Sequence, residues 1–267
     1  MSAQPGVVIV TGSGGPGCGR AIARRFASAG NAVVVSDIDD AGGRETVRQI
    51  ESAGGRALYH HTDVRDDAEV EGLFDSCERE FGVPSALVNN ASVTDDDAGG
   101  ADAWMAPIDT DLLGAIRTIK HAIDAMRRAG RGGSIVNVAS ISALWHGRTT
   151  PGGFEGYDVA KAGVIRLTTR LSSLAASDGI RVNCVAPGWI ATDQVTRYWN
   201  SLTASERAER GVPARLLDPD DVAELVLQLA GDASLSGRVV AWWSEDEPRL
   251  IEWGDRGYRS HSRFRAR

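Results

Sequence analysis

The chain has 267 residues, of which 42% are hydrophobic and 24% charged, so it can bury about 75% of its unfolded surface. The formal net charge of −7 argues against a nucleic-acid or other polyanion binder. Three cysteines without C-x-x-C spacing indicate neither a disulfide framework nor a zinc site. The start of the chain lacks the pattern of a signal peptide, and no apolar run approaches the roughly 20 residues that cross a bilayer. We therefore expect a cytoplasmic protein with no membrane partner.

Short runs rich in valine and isoleucine alternate with longer stretches of helical period. The strand-like runs are 6–11, 32–37, 57–60, 86–89, 134–140, 181–185 and 238–242. The helical stretches are 19–29, 41–53, 68–81, 107–128, 157–177 and 219–230. This alternation is typical of βαβ units, and near-continuous apolar strands are typical of a parallel sheet covered on both faces. The sequence predicts an α/β fold: a single doubly wound, Rossmann-type domain with about seven parallel strands flanked by helices.

No Pro/Gly/Ser linker divides residues 1–254, so we interpret them as one domain, followed by a tail over 255–267. The tail has five arginines against one aspartate. We favour a solvated or subunit-contacting tail over a nucleic-acid arm, because such arms need longer basic runs. The polar segment 190–215 predicts either a mobile lid over a site or a surface helix pair, and we favour the lid.

A glycine-rich run, T-G-S-G-G-P-G-C-G-R at 11–20, lies between the first strand and the first helix. Glycines at this place let the backbone approach a pyrophosphate, and the helix start offers unpaired N–H groups to the anion. The strand, turn and helix context predicts a dinucleotide site. A tight turn without a ligand is the alternative.

Asp37 ends the second predicted strand, 18 residues beyond Gly19. A carboxylate at this place accepts the hydroxyls of an adenosine ribose and repels the additional phosphate of NADP, so we predict NAD as the cofactor. The alternative for Asp37 is a helix N-cap, although Asp39 or Asp40 could take that role.

Tyr157 and Lys161 stand four residues apart at the start of a predicted helix, which puts them on one helical face. The reference pKa of tyrosine is about 10. An ammonium at ~4 Å would favour the tyrosinate by up to ~4 kcal/mol at an effective dielectric near 20, so a shift of two to three pKa units is within reach. The pair would suit a general acid/base, although this spacing alone is common by chance.

Together these features resemble the short-chain dehydrogenase/reductase family along nearly the whole chain. The resemblance depends on T-G-S-G-G-P-G-C-G (11–19), D-V (63–64), N-N-A-S (89–92), I-V-N-V-A-S (135–140), Y-D-V-A-K (157–161) and N-C-V-A-P-G-W-I-A-T (183–192). It implies hydride transfer between a nicotinamide and a carbonyl or alcohol carbon. In this pattern Tyr157 is the acid/base, Ser140 donates a hydrogen bond to the substrate oxygen, and Lys161 binds the nicotinamide ribose and lowers the pKa of the tyrosine.

The resemblance also implies a set of dinucleotide-binding residues around the cleft. These are Gly12, Ser13, Gly17, Cys18, Gly19, Asp37, Ile38, Asp63, Val64, Asn89, Ala91, Tyr157, Lys161, Pro187, Gly188, Ile190 and Thr192.

Four features differ from the family pattern. The glycine motif has one additional residue, the loop before Tyr157 is enlarged over 148–156, and the usual Gly-Gly ending after the last strand is replaced. The family usually has an asparagine in the middle helix that holds a relay water, and a count of seven from Trp104 puts Asp111 there. Its charge would pair with Lys161 and partly cancel the pull on Tyr157. We include Asp111 among the catalytic residues.

We predict an NAD(H)-dependent oxidoreductase that interconverts a secondary alcohol and a ketone. The first alternative is a lyase, dehydratase or isomerase that uses the Tyr–Lys pair for acid/base chemistry. The second is a non-catalytic dinucleotide-binding scaffold. The histidines lack metal-ligand spacing, so we predict no metal, and His60–His61 is interpreted as a strand end.

Aromatic side chains fall on segments that would border the substrate cleft: Trp145, His146, Trp189, Tyr198 and Trp199. They indicate either a bulky or aromatic small-molecule substrate or ordinary packing. The family resemblance further implies a homo-oligomer, a tetramer or dimer joined through helices 107–128 and 157–177.

Overall fold

The computed structural model describes residues 6–93, 101–145 and 153–254. Within these ranges the strands are β1 (Val7–Thr11), β2 (Ala32–Asp37), β3 (Arg56–His61), β4 (Ala86–Asn89), β5 (Gly133–Val138), β6 (Ile180–Pro187), β7 (Val239–Trp242) and β8 (Arg249–Leu250). They form one sheet in the order β3-β2-β1-β4-β5-β6-β7-β8. The first seven strands pair in parallel, and β8 pairs antiparallel with β7.

The α-helices connect the strands. They are α1 (Cys18–Ser28), α2 (Asp40–Ser52), α3 (Asp67–Glu80), α4 (Met105–Pro107), α5 (Gly114–Ala129), α6 (Glu155–Arg170), α7 (Leu174–Asp178), α8 (Asp193–Asn200), α9 (Ala204–Arg210) and α10 (Pro219–Gly231). Aspartate side chains cap α2, α3 and α10 by accepting first-turn N–H groups, which explains why these helices begin where they do.

Alternating residues of the central strand β1 face two different core layers. Val8 and Val10 pack in the layer that holds Ile22 of α1 and residues of α10. Ile9 points the other way, into the layer of α3 and α5. Side chains alternate between the faces of a strand, and burying each such side chain contributes about 1.5–3 kcal/mol. The sheet is therefore covered on both faces, as the continuous apolar runs predict.

The strand order reverses at β1: β2 and β3 are added on one side of it, and β4 to β7 on the other. Val10 pairs with Val35 of β2 on one side and with Val88 of β4 on the other. Ligands of doubly wound sheets bind in the crevice at such a switch point, beyond the carboxyl ends of the strands. The glycine-rich turn after β1 lies at this crevice.

Three elements differ from the sequence-based prediction. The sheet gains the short β8. The helix predicted over 107–128 contains a π-helical segment, Ile108–Leu113, before α5. The helix predicted over 157–177 begins two residues earlier and passes through a 3₁₀ turn, Leu171–Ser173, into α7. The π-helical and 3₁₀ segments cover only 6 and 3 residues, too few for their different periods to show in the sequence pattern.

The segment 190–215 contains the helix pair α8 and α9, and His60 and His61 end β3 as predicted. The proposed tail over 255–267, His146 and most of the enlarged loop before Tyr157 lie outside the described residues. In the described part of the chain, every helix is too short or too polar to span a bilayer.

Candidate active site

A large cleft of about 2040 Å³ opens at the switch point of the sheet. Pockets for one drug-sized ligand measure roughly 300–1,000 Å³, so this cleft has room for a dinucleotide together with a substrate. Predicted site residues that follow six different strands meet in it with two residues of α6. Those lining the cleft are Gly12, Gly17, Cys18, Gly19, Asp37, Ile38, Asp63, Val64, Ala91, Ser140, Tyr157, Lys161, Pro187, Gly188, Ile190 and Thr192.

Two predicted cofactor-binding residues do not line this cleft. The Ser13 side chain is buried and donates to the carbonyl of Val10, while its backbone N–H donates to Ser36. Asn89 lies behind the cleft, where its amide donates to Asn137 and accepts from Thr118. The polar groups of Ser13 are used within the fold, and Asn89 braces neighbouring elements. Dinucleotide binding by these two residues stays a prediction.

The glycine loop after β1 fits a dinucleotide pyrophosphate. Gly12 has φ +63°, and a Cβ there would lie 2.5 Å from the Cα of Ala91; a Cβ on Gly19 would lie 2.1 Å from the Gly12 carbonyl oxygen. A Cβ on Gly15 would instead meet open space. The absence of a side chain at Gly12 and Gly19 therefore permits close backbone packing, and Gly15 faces open space in the cleft. Among the described residues no side chain caps the start of α1 at Gly17, so its first-turn N–H groups can receive an anion.

The glycine loop has a structural partner that sequence reasoning missed. Arg20 of α1 donates to the Gly14 carbonyl, to the Gly42 carbonyl at 3.3 Å and to the Thr46 hydroxyl at 2.9 Å. The guanidinium thus ties the glycine loop to α2. An arginine directly after the last glycine of the motif was the available signal, but two of its partners, Gly42 and Thr46, belong to a helix that is distant in the sequence.

Asp37 faces the cleft from the end of β2. Its carboxylate accepts the Gly14 N–H at 2.7 Å and the Asp39 N–H at 3.0 Å. Asp39, and not Asp37, caps α2 by accepting the N–H groups of Ala41 and Gly42. The N-cap alternative for Asp37 is therefore wrong, and two backbone donors fix its carboxylate beside the loop.

Lys161 and Asp111 form a buried ion pair behind the cleft. Their Nζ and Oδ2 atoms are 3.0 Å apart, and their side chains are 3% and 0% exposed. Lys161 also donates to the Val138 carbonyl at 3.1 Å. Burial is the largest single effect and disfavours the ammonium, but the charge and hydrogen bond of Asp111 together with Tyr157 and Cys184 exceed it, so the pKa of Lys161 lies above its usual value. The pairing expected from the seven-residue count is present, and Asp111 sits in the π-helical segment.

Tyr157 lies on the same helix face as Lys161, whose ammonium is 5.4 Å from the ring centre. Burial raises the pKa of Tyr157; Lys161 and a hydrogen bond with Ser140 lower it, and Asp111 raises it further. The net direction is upward. The expectation that Lys161 brings the pKa of this tyrosine toward neutrality is therefore wrong for the protein groups alone, because burial and Asp111 together exceed the pull of the ammonium.

Ser140 follows β5, next to Tyr157. Its hydroxyl oxygen accepts the N–H of Ser142 at 3.2 Å and the Ser142 hydroxyl at 3.0 Å. Both contacts use Ser140 as an acceptor, so its own proton serves the hydrogen bond that lowers the pKa of Tyr157.

Aromatic rings form the remaining walls of the cleft. Trp189 stacks on Tyr198 with ring centres 5.9 Å apart, and Trp145 meets Trp243 edge to face at the same separation. Phe154 stacks on Tyr157 at 5.5 Å. Phe154 belongs to the enlarged loop before Tyr157, and Trp243 to the segment that replaces the usual Gly-Gly ending, for which the sequence indicated a site wall or a subunit contact.

Trp199 does not line this cleft, unlike the other described aromatic candidates. Its indole N–H donates to the Pro213 carbonyl, and the guanidinium of Arg207 lies 3.7 Å from its ring centre. It packs α8 against α9 and the segment after it.

The three cysteine thiols stay protonated near neutral pH, and the described residues hold no cluster of metal ligands. Cys18, Cys77 and Cys184 are buried and unpaired, and burial raises the pKa of each thiol to about 12. Across residues 6–93, 101–145 and 153–254, no group of three or more His, Cys, Asp or Glu side chains could hold a metal ion.

The chain is similar to many known proteins over most of its length. A family model described as enoyl-(acyl carrier protein) reductase matches residues 15–239. Cis-4-hydroxycyclohexanecarboxylate dehydrogenase from Sinomonas cyclohexanicum is 38% identical over 232 residues, covering 85% of this chain and 90% of the relative. 3beta-hydroxysteroid dehydrogenase 1 from Eggerthella lenta is 36% identical over 232 residues, covering 84% and 86%.

Solved structures agree with these relatives. A variant of actinorhodin polyketide ketoreductase, solved with NADPH, superposes with a TM-score of 0.78 at 30% identity and covers 90% of this chain and 97% of its own. The family match, the relatives and this fold all point to enzymes that transfer hydride. The chain belongs to the short-chain dehydrogenase/reductase family of oxidoreductases.

Proposed function

We propose that the protein is an NAD(H)-preferring dehydrogenase that interconverts a secondary alcohol and a ketone. The observation that carries this proposal is that Ser140, Tyr157 and Lys161 line one cleft together with the glycine loop and Asp37. When bound, the nicotinamide dinucleotide supplies or accepts the hydride. The protein residues provide orientation and proton transfer.

The preference for NAD(H) is argued from Asp37. Its carboxylate is fixed by two backbone donors at the edge of the cleft, where it can accept ribose hydroxyls and repel a phosphate. A Cβ on Gly14 would lie only 2.9 Å from the Asp37 side chain. The loop and the carboxylate are therefore closely packed, which leaves little room for an additional phosphate group.

Proton transfer at the substrate oxygen is assigned to Tyr157. In oxidation its phenolate would accept the hydroxyl proton, and in reduction its hydroxyl would return one. Ser140 would donate a hydrogen bond to the same substrate oxygen. Lys161 holds positive charge beside the tyrosine and stabilises the phenolate, against the opposing effect of Asp111.

The substrate class is proposed from the aromatic walls. Trp145, Trp189, Tyr198 and Trp243 all line the cleft, and flat rings provide large contact areas for bulky apolar groups. Two relatives carry the names of a hydroxycyclohexanecarboxylate and a hydroxysteroid dehydrogenase. We therefore propose a secondary alcohol on or beside a ring.

The test is a screen of cyclic secondary alcohols and ketones with purified protein, read in the absorbance band of reduced nicotinamide. We expect turnover with NAD(H) that is lost in Tyr157→Phe. Product formation with no net change in this band would instead support a lyase or isomerase. Dinucleotide binding without turnover of any tested compound would support a scaffold.

We further propose that the protein is a homo-oligomer. Apolar side chains are exposed on neighbouring elements around α6, including Met105 at 62% and Val159 at 61%. The family resemblance implies dimers or tetramers joined through these helices. A second copy of the chain would remove this apolar surface from water.

A further inference from the structure

We propose that the hydroxyl of Ser92 is the outlet of a proton relay that connects the buried Lys161–Asp111 pair to the open cleft. The inference rests on the oxidoreductase role proposed above for Tyr157. It assigns a task to Ser92, which stands three residues beyond the end of β4, and to one particular oxygen of Asp111.

Three donors converge on the Asp111 carboxylate. Lys161 Nζ lies 3.0 Å from Oδ2, and the Ser92 hydroxyl donates to the same Oδ2 atom. The backbone N–H of Val93 donates to Oδ1 at 2.9 Å. A proton that passes from Lys161 to Oδ2 would thus arrive on the atom that Ser92 already touches.

The ion pair is almost closed to solvent. The Asp111 side chain is 0% exposed and that of Lys161 is 3% exposed. Ser92 is half-buried, and it lines the large cleft. The Ser92 hydroxyl therefore contacts the buried carboxylate and also faces the open cleft. A hydroxyl group can both accept and donate a proton.

Neighbouring groups offer weaker alternatives. Cys18 and Cys184 lie near Lys161, but burial raises the pKa of both thiols to about 12, so neither is an effective acceptor near neutral pH. A small cavity lined by Thr11, Asn89 and the ion pair has a volume of only about 10 Å³, at the lower limit for one water molecule.

The relay balances for each alcohol oxidised. Tyr157 accepts the substrate proton and passes one proton through an intervening water of the cleft to Lys161 as Lys161 passes one to Asp111 Oδ2. Asp111 then gives its proton to the Ser92 oxygen, while Ser92 releases its own hydroxyl proton to water in the cleft. Every protein group returns to its starting state, and one proton reaches solvent.

The sequence makes a direct test possible, because Lys120 and Lys161 are the two lysines of the chain. Protein labelled with ¹⁵N-lysine therefore gives two side-chain signals by NMR. The exchange of the Lys161 ammonium hydrogens with water can be measured without substrate or cofactor. Lys120, which is 59% exposed, is the internal control.

We expect Ser92→Ala to slow exchange at Lys161 at least tenfold and to leave Lys120 unchanged. Ser92→Thr keeps the hydroxyl and should exchange within twofold of the wild type. If Ser92→Ala fails to fold, an exchange rate in Ser92→Thr that is lowered tenfold would already contradict the proposal. Equal exchange in the wild type and Ser92→Ala would overturn it.

A second measurement separates this inference from the proposed function. With an active alcohol, Ser92→Ala should slow single-turnover oxidation, and small bases such as imidazole should restore the rate. Dinucleotide affinity should stay unchanged. If no alcohol is oxidised by the wild type, the proposed function fails, while the exchange rates still decide the relay.

Discussion

The ammonium of Lys161 contacts the carboxylate of Asp111 across 3.0 Å in a site almost closed to solvent. Two residues that are 50 positions apart thus form one charged unit behind Tyr157. The unit acts on the tyrosine in two directions, because the ammonium lowers the pKa of Tyr157 and the carboxylate raises it.

Replacing Asp111 by asparagine should change the pH dependence of catalysis. Asp111→Asn removes the negative charge that raises the pKa of Tyr157, so the phenolate forms at lower pH. The alkaline-favoured limb of kcat for alcohol oxidation should therefore shift to lower pH. A pH–rate profile checks this, and a superimposable profile for the two proteins would contradict the role of Asp111.

Removing one partner of the ion pair should destabilise the fold. Asp111→Ala leaves a buried ammonium without its carboxylate, which costs about 3–5 kcal/mol. The exposed pair of Glu45 and Arg48 is the control, since Glu45→Ala should cost less than about 1 kcal/mol. Urea unfolding at neutral pH measures both, and equal losses would show that burial does not strengthen the inner pair.

Alkaline conditions should weaken the same region. The folded-state pKa values of Lys161 and Tyr157 are both raised. Each group therefore contributes stability that is complete below its unfolded pKa of about 10 and is lost as pH rises through the folded value. Urea midpoints should fall above about pH 10, and the fall should be smaller in Tyr157→Phe.

Cofactor preference should follow Asp37. We expect NAD(H) to bind at least tenfold tighter than NADP(H), about 1.4 kcal/mol, and Asp37→Ala to narrow the gap. Asp39→Ala is the matched control, because it removes the cap of α2 and about 1 kcal/mol of stability but should keep the preference. Fluorescence titration with both dinucleotides decides the matter, and tighter NADP(H) binding by the wild type would reject the assignment.

Tyr157 should be essential for turnover and dispensable for cofactor binding. Tyr157→Phe removes the proton donor at the substrate oxygen, so kcat should fall by ~10² or more with little change in dinucleotide affinity. Tyr198→Phe provides a control at another tyrosine of the cleft and should retain most of kcat. If Tyr157→Phe keeps half of the activity, the proposed proton path is wrong.

Assembly should depend on the apolar surface around α6. A charge at the exposed Val159 should weaken subunit contacts, so Val159→Asp should lower the mass measured by light scattering. Glu71→Lys changes charge on the exposed side of α3 and should leave the mass unchanged. A monomer mass for the wild type at micromolar concentration would contradict the oligomer.

The sequence by itself determined the features that depend on local spacing. Apolar runs of strand length separated by helical stretches specify a parallel sheet covered on both faces. The glycine motif between β1 and α1 and the four-residue spacing of Tyr157 and Lys161 both place groups within one local element. These relationships need few long-range contacts, so they could be predicted.

Only the tertiary structure decided which distant groups meet. Packing turned the Ser13 hydroxyl toward Val10, although its position in the motif indicated a cofactor contact. The seven-residue count located Asp111 in the sequence. The contact of its Oδ2 atom with both Lys161 and Ser92 depends on how three separate elements pack together. Burial likewise reversed the expected pKa shift of Tyr157, because desolvation is a property of the folded surroundings and cannot be deduced from spacing along the chain.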